Sequence, residues 1–478
     1  MTALLSILIP IFIAFVIGFG SRKFELTAKY LTIILFGVMF IYSLTLLSQS
    51  SGESFLKLGE YLRVESFDFT LVLAVDRLSS IMLVLTSTLL ILVTLSSWNI
   101  AKQQYYFALL TLFSGAIFGV FMSTNLLWFF IFWELTLIPM FFLVGIWGAE
   151  RRIYASIKFF LYTHFASMLI LLALFLIYNQ TGKFDFTLIK ESMIATPALI
   201  WWLMFIGFAV KMPIFPFHTW LPDAHVEAPA PISVLLAGVL LKMGAYGMIR
   251  FAILMMPQSA TKFSWIILTL GVITLFYAGF MALYETHLKK VVAYSSISHM
   301  GLVVVAIATV SFAGVSGALF EMIGHALIIS PLFLIAGFLH ERTGSWYMKD
   351  MGGLMQSSPF VSTIFVLAGL GALGFVGTVG FIGELTILIA TIESFGVWMA
   401  VIAVASIVGA SYIIWTFRRV IYGEMSSLIR SSNLKMGKVE SISLALFAFL
   451  ILYFGLVPSS IFDYVNSAFN GFNFGGVK

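Results

Sequence analysis

Seven ionisable residues stand out inside otherwise apolar stretches: Glu134, Lys158, Lys211, Lys242, His299, His325 and Glu384. Taking such a group out of water costs several kcal/mol unless it is paired, hydrated or neutralised by a proton. A set of buried groups whose protonation states depend on one another is what a proton relay requires. Glu134 sits within Trp128-Phe129-Phe130-Ile131-Phe132-Trp133-Glu134-Leu135, and Lys211 is its expected partner from a neighbouring stretch. Paired, both stay ionised; separated, either can give up its charge. The competing reading is a static pair that only fixes helix packing. Lys242 lies about twelve residues into its run, too deep for its ammonium to reach the surface by snorkelling, and a buried lysine changes protonation readily. Lys158 is only six residues into its run, so snorkelling competes equally with a relay role. His164, a turn and a half further on, reads more simply as a satisfied interhelical bond.

His299 and His325 can each pass a proton through two ring nitrogens. Glu321, one turn before His325, is its expected partner. Metal binding competes for the histidines, but there is no cysteine and no carboxylate spaced to complete a site. Glu384 has nothing in its own helix to neutralise it and reads as a terminal proton acceptor towards the outer face, the alternative being a structural pair with a distant Lys or Arg. No metal site and no cofactor-binding motif is readable: phosphate loop, haem attachment and nucleotide fingerprint are all missing.

The segment Lys211–Pro229 follows an uncharged run and places Pro213 and Pro216 just after Lys211. Each proline removes a backbone donor and clashes one turn back, so the helix is expected to break there. Irregular backbone at membrane depth is tolerated only inside protein or beside water. Asp223, His225 and Glu227 follow the break and could gather protons at an entrance, or simply form a solvated loop with capping acids.

The whole chain has 478 residues, 61% hydrophobic and 10% charged, against about 25% charged in soluble domains. It reads as an all-α polytopic membrane protein with about fourteen spans, near 3–20, 28–48, 76–97, 105–122, 125–147, 153–178, 198–221, 230–254, 263–283, 289–310, 313–340, 359–392, 396–420 and 441–458. Residues 3–20 lack a basic leader and a small-residue cleavage site and are expected to be a retained span. Odd-numbered loops hold fifteen Lys and Arg, Arg22 and Lys23 among them, and even-numbered loops hold five. This bias puts odd loops in the cytoplasm and both termini outside, and it reports topology rather than nucleic-acid binding. Residues 49–75, with Phe55, Leu56, Leu58, Tyr61, Leu62 and Phe67, suggest a short hairpin or interfacial piece. Residues 421–440 read as a flexible cytoplasmic connection.

Span 12 is long and carries Gly369, Gly371, Gly374, Gly377, Gly380 and Gly383 just before Glu384. Interruptions in spans 7 and 12, five spans apart, suggest two inverted five-helix repeats, spans 4–8 and 9–13. Span 12 has no internal proline, and a glycine-lined packing face competes with a break. The organisation expected is three N-terminal helices in 1–104, a core in 105–422, and a cytoplasmic connection with helix 14 in 423–478.

Trp133-Glu134-Leu135 with Ile138-Pro139-Met140, the Lys211–Pro229 stretch, Leu240-Leu241-Lys242-Met243-Gly244-Ala245-Tyr246-Gly247 and Tyr294-Ser295-Ser296-Ile297-Ser298-His299-Met300-Gly301 resemble the antiporter-like subunits of respiratory complex I, most closely the M type, over about residues 105–422. The resemblance implies a proton-translocating membrane-arm subunit of an NADH:quinone oxidoreductase, working in a prokaryotic inner membrane beside other membrane-arm subunits. Flavin, iron–sulfur clusters and quinone would belong to those partners. It also implies relay roles for Glu134, Lys158, Lys211, Lys242, His299, His325 and Glu384, with glutamate at the last position favouring the M type. Two departures are visible: Val376-Gly377-Thr378 stands where relatives often have Pro-Gly-Thr, so span 12 is expected to bend less, and Ser114 stands where many relatives have a glutamate in span 4. The same resemblance extends to Mrp-type cation/proton antiporters and membrane-bound hydrogenases, which leaves Na⁺ as an alternative ion.

Overall fold

The computed structural model describes residues 2–20, 25–50, 54–64 and 68–470. Arg22, Lys23 and Phe67 lie outside the described residues. Among the described residues, twelve helices are long and apolar enough to cross a membrane, and two shorter apolar helices are the first halves of interrupted spans. The uninterrupted ones are α1 (Thr2–Phe19), α2 (Glu25–Gln49), α3 (Arg77–Ser96), α4 (Gln103–Met122), α5 (Leu126–Trp147), α6 (Arg152–Thr181), α8 (Ala230–Leu254), α9 (Pro257–Tyr284), α10 (Leu288–Ala308), α11 (Phe312–Thr343), α13 (Val401–Ile421) and α14 (Lys438–Leu456). The interrupted spans are α7a (Pro197–Lys211) with α7b (Trp220–Glu227), and α12a (Pro359–Ala372) with α12b (Val379–Phe395). A short helix, α15 (Ser459–Ser467), follows α14. The fourteen spans expected from apolar run length are therefore present.

The break in the seventh span has the cause expected. α7a ends at Lys211, and the two prolines follow within five residues. The carbonyl of Val210, left over at this end, accepts the indole N–H of Trp220 at 2.9 Å, so α7b caps α7a from the side. Beyond residue 221 the chain was read as either a proton entrance or a solvated loop; it is helical, with Leu221, Ala224 and His225 turned inward to a buried face.

The twelfth span is broken as expected, and outright, although without Pro-Gly-Thr it was expected to bend less. Glycine rather than proline is responsible. Gly374 has φ +62° and Gly377 φ +91°, backbone states that L side chains resist and glycine takes freely. Gly374 also makes room: a Cβ there would fall 2.5 Å from Glu384 Oε2.

α8 and α11 form the centre. Residues 314–339 of α11 are buried without exception, as are 231–253 of α8. Their ionisable side chains must therefore find partners inside the bundle rather than in solvent or lipid. α8 contains two π-helical segments, Leu236–Leu240 and Met248–Leu254, a feature that recurs at functional positions in helices.

The 49–75 segment does form a hairpin, β1 (Leu56–Val64) with β2 (Phe69–Val75), antiparallel from Leu56↔Val75 to Val64↔Phe69. Asp68 clamps it to the α4–α5 connection, its carbonyl accepting from Asn125 Nδ2 at 2.9 Å, and to the α6–α7a connection, its Oδ2 accepting the Phe184 N–H at 2.7 Å. The 421–440 connection is not a free tether. Ser426 Oγ donates to Asp350 O at 2.6 Å, and Ile429 is buried. Its apolar side chain and hydroxyls give the segment a docking face that its Ser/Lys content concealed.

Candidate functional site

The first group surrounds the end of α7a. Lys211 is 1% exposed and its Nζ has no hydrogen-bond partner within the protein. The ammonium lies 5.1 Å from the ring centre of Trp133 and 5.9 Å from that of Phe159, where the ring faces offer it cation–π attraction. Glu134 on α5 is the carboxylate whose charge acts on Lys211, but the direct ion pair expected between them is not formed. Glu134 Oε2 instead takes His164 Nδ1 on α6 at 2.6 Å. His164 reaches it because α5 and α6 are neighbours that present these residues across one seam, which spacing along the chain cannot reveal. Glu134 Oε1 has no protein partner, so the carboxylate bonds α6 with one oxygen while its charge is felt at Lys211.

Lys158, also on α6, is paired with Asp223 of α7b at 2.6 Å. Asp223 is therefore an ion-pair partner rather than a free entrance acid. Glu227 Oε2 accepts the backbone N–H of Arg151 at 2.8 Å, a structural cap. His225 is fully buried, stacked on Phe333 of α11 at 4.5 Å, with neither ring nitrogen hydrogen-bonded. The solvated-loop reading fails for it because α7b inserts into the bundle.

The second group is a line across the centre. Lys242 Nζ donates to Ala237 O at 2.7 Å, within the π-helical segment of its own helix, and also contacts His325 Nδ1 on α11. His325 and His299 on α10 have ring centres 5.5 Å apart. His299 Nδ1 bonds Glu321 Oε1 at 3.0 Å. Glu321 was expected to serve His325; the turn it shares with His325 instead aims it across the helix interface to His299, and His325 takes Lys242. Glu384 on α12b completes the line. It shares a cavity of about 30 Å³ with His299, Ser298 and Tyr412, and borders a larger cleft of about 210 Å³ with Gly374, Phe381 and Ser406. Its charge acts on Glu321 and His299. Gly383 lets Glu321 approach α12b, since a Cβ there would sit 2.7 Å from Glu321 Oε2.

The two groups are held together by close contact of α8 with α7a. A Cβ on Gly244 would fall 2.8 Å from Met212 N, and one on Gly247 would fall 2.4 Å from the Phe208 ring. The charges are not placed symmetrically on their broken helices. Lys211 is the last residue of α7a, before its break, whereas Glu384 is the sixth of α12b, after its break. The sixth residue of α7b is His225.

One buried pair was missed. Arg250 of α8 bonds Asp76 through both guanidinium nitrogens, at 2.6 and 2.7 Å, with both side chains 2% exposed. Asp76 also caps α3 through Ser79 N at 2.9 Å. Each stands at the end of an apolar run and reads as an ordinary terminal charge. The available signal was Asp76 in N-cap position before Arg77-Leu78-Ser79.

Comparison with known proteins gives this arrangement a context. The family model described as NADH:quinone oxidoreductase/Mrp antiporter, transmembrane region, matches residues 123–409, which include all seven expected relay residues. NADH-quinone oxidoreductase subunit M of Rickettsia felis is 38% identical over 420 residues, covering 87% of this chain and 85% of that protein. A chain in respiratory complex I from Thermus thermophilus with bound NADH superposes with a TM-score of 0.87 at 24% identity, over 99% of this chain and 100% of that one. A chain of the Mrp complex from Dietzia superposes with a TM-score of 0.90 at 17% identity, over 98% and 97%. At these identities the two structures establish a shared fold. The matched segment and the identity to the curated relative establish more: this chain belongs to the NADH:quinone oxidoreductase/Mrp antiporter family of multi-pass membrane subunits.

Proposed function

We propose that this chain is a proton-translocating membrane-arm subunit of an NADH:quinone oxidoreductase of the complex I type, in a prokaryotic inner membrane. The observation that carries the proposal is the line Lys242–His325–His299–Glu321–Glu384 on α8, α10, α11 and α12b, in which Lys242, His325 and Glu321 are buried, His299 and Glu384 are half-buried, and the Glu384 carboxylate feels the charges of Glu321 and His299. A proton on Lys242 passes to His325 Nδ1. It crosses to His299 by ring reorientation or an intervening water, since the rings are within reach but not bonded. It then reaches Glu321 and leaves by Glu384 through the cleft at the α12 break. Lys211 supplies the drive. Its charge responds to Glu134, and Glu134 is divided between His164 and Lys211, so a shift of α5 or α6 by a neighbouring subunit alters the balance. Iron–sulfur chemistry is assigned to partner subunits because this chain has no cysteine to ligate a cluster, and flavin and quinone chemistry is assigned to the same partners.

The test is proton pumping coupled to quinone reduction by the assembled complex in vesicles. Lys211→Ala and Glu134→Ala should each sharply reduce pumping; wild-type pumping by both variants in a fully assembled complex would refute the proposal. The fold match to an Mrp complex supports a second reading, a cation/proton antiporter subunit that could carry Na⁺. Co-purification of flavin and iron–sulfur subunits with this chain separates the two.

A further inference from the structure

A further cavity is lined by none of the relay residues. It is a slot of about 380 Å³ between α2, α3, α11, α14 and α15, walled by Leu44, Val84, Leu85, Leu327, Leu450 and Phe454 among others. That volume falls within the range of small-molecule pockets, about 300–1,000 Å³. Its few hydroxyls are already bonded to their own helices: Ser48 to Thr45 O at 2.8 Å, Thr88 to Val84 O at 2.8 Å and Ser460 to Val457 O at 2.6 Å. The hydrogens of these hydroxyls are thus already used, and the rest of the wall is mainly aliphatic and aromatic.

One end of the slot is different. Leu47 and Tyr464 line it there, and Arg77 spans them, donating to Leu47 O and placing its guanidinium carbon 5.0 Å from the Tyr464 ring centre. Arg77 Nε has no partner among the described residues. This end is a membrane boundary, because α2 finishes, α3 starts and α15 lies there. From Arg77 to Thr88 the helical rise is about 1.5 Å per residue, or roughly 16 Å in all, half of a hydrocarbon core about 30 Å thick. A spanning helix from another subunit would need a groove of full membrane depth. A slot one leaflet deep, walled mainly by apolar side chains and closed by a cation at the interface, has the shape and charge to take a lipid.

We propose that this slot is a phospholipid site, with an acyl chain between α3, α11 and α14 and the phosphate on Arg77. The full chain, purified and stripped of lipid, is titrated with dioleoyl phosphatidylglycerol and with dioleoylglycerol, which lacks the phosphate, and followed by native mass spectrometry. Wild type should take up one tight phosphatidylglycerol. Val84→Trp, which fills the slot, should weaken both ligands at least tenfold. Arg77→Gln should weaken phosphatidylglycerol severalfold and leave dioleoylglycerol unchanged, with Arg77→Lys restoring part of the loss. Ile273→Trp, on the exposed face of α9, should bind as wild type. Titrations of Val84→Trp and Arg77→Gln that superpose on wild type would overturn the site. In the assembled complex, Thr88→benzoylphenylalanine should cross-link to lipid on irradiation; an adduct with another polypeptide would overturn the proposal in favour of a subunit contact.

Discussion

Glu321 Oε1 lies 3.0 Å from His299 Nδ1, and this bond ties α10 to α11 where the line of ionisable groups turns towards α12b. Glu321 Oε2 has no protein partner, so the carboxylate has one oxygen committed and one available to Glu384's side. Glu321→Gln keeps the size and a hydrogen bond but removes the charge. It should lower proton pumping about a hundredfold or more, the range that a positioned proton-transfer group contributes, while the complex still assembles. Pumping is read as acidification of vesicles per quinone reduced; an unchanged ratio would make the pair a packing device.

Lys242 is the entry to the central line, bonded to Ala237 O and in contact with His325. Lys242→Met should abolish most pumping, and Lys242→Arg should not rescue it, because arginine stays protonated and cannot pass the proton on. The readout is again proton uptake by vesicles, with subunit composition checked on the same sample.

The two glycines of the α12 break separate strain from chemistry. Gly374→Ala and Gly377→Ala both force an L residue to positive φ, costing about 1–2 kcal/mol each. Only the Gly374 Cβ meets Glu384, at 2.5 Å; the Gly377 Cβ meets Leu456 Cδ2 at 3.6 Å. Thermal unfolding should show similar losses, whereas pumping should fall markedly only for Gly374→Ala. Equal pumping by the two would remove Glu384 from the exit.

The Asp76–Arg250 pair holds α3, α8 and the hairpin together. Asp76→Asn or Arg250→Met alone leaves a buried charge unpaired and should cost about 3–5 kcal/mol. The double variant should be less destabilised than the two losses added. A double-mutant cycle on chemical denaturation in detergent measures this, and simple additivity would show that the pair contributes nothing.

His287, in the loop between α9 and α10, gives a pH signature outside the spans. Burial first, then the nearby Lys290 and Lys289, lower its pKa to about 4, against about 6.5 in the unfolded chain. A depressed histidine stabilises the fold fully above about pH 6.5, and the contribution is lost as pH falls from there towards 4. The midpoint of thermal unfolding should therefore drop over that window, and His287→Asn should flatten the drop by several degrees. A parallel pH profile for the variant would exclude His287 as a source of acid sensitivity.

Much of this architecture follows from sequence alone, for a definite physical reason. In hydrocarbon every backbone group must be satisfied within its own segment, so an apolar run of sufficient length is a helix whatever its neighbours. That constraint makes the fourteen spans legible, and Pro213 and Pro216 make the α7 break legible. The depth of Lys211, Lys242, His299, His325 and Glu384 follows from the same run lengths. What the chain order does not contain is how each helix is rotated and which neighbour it meets. The tertiary packing assigned Glu134 to His164, Glu321 to His299 and His325 to Lys242, and it joined Asp76 to Arg250 across 174 positions of sequence. It also decided the α12 break, because a positive φ at Gly374 and Gly377 depends on what the surrounding helices leave room for, and the room left there is occupied by the carboxylate of Glu384.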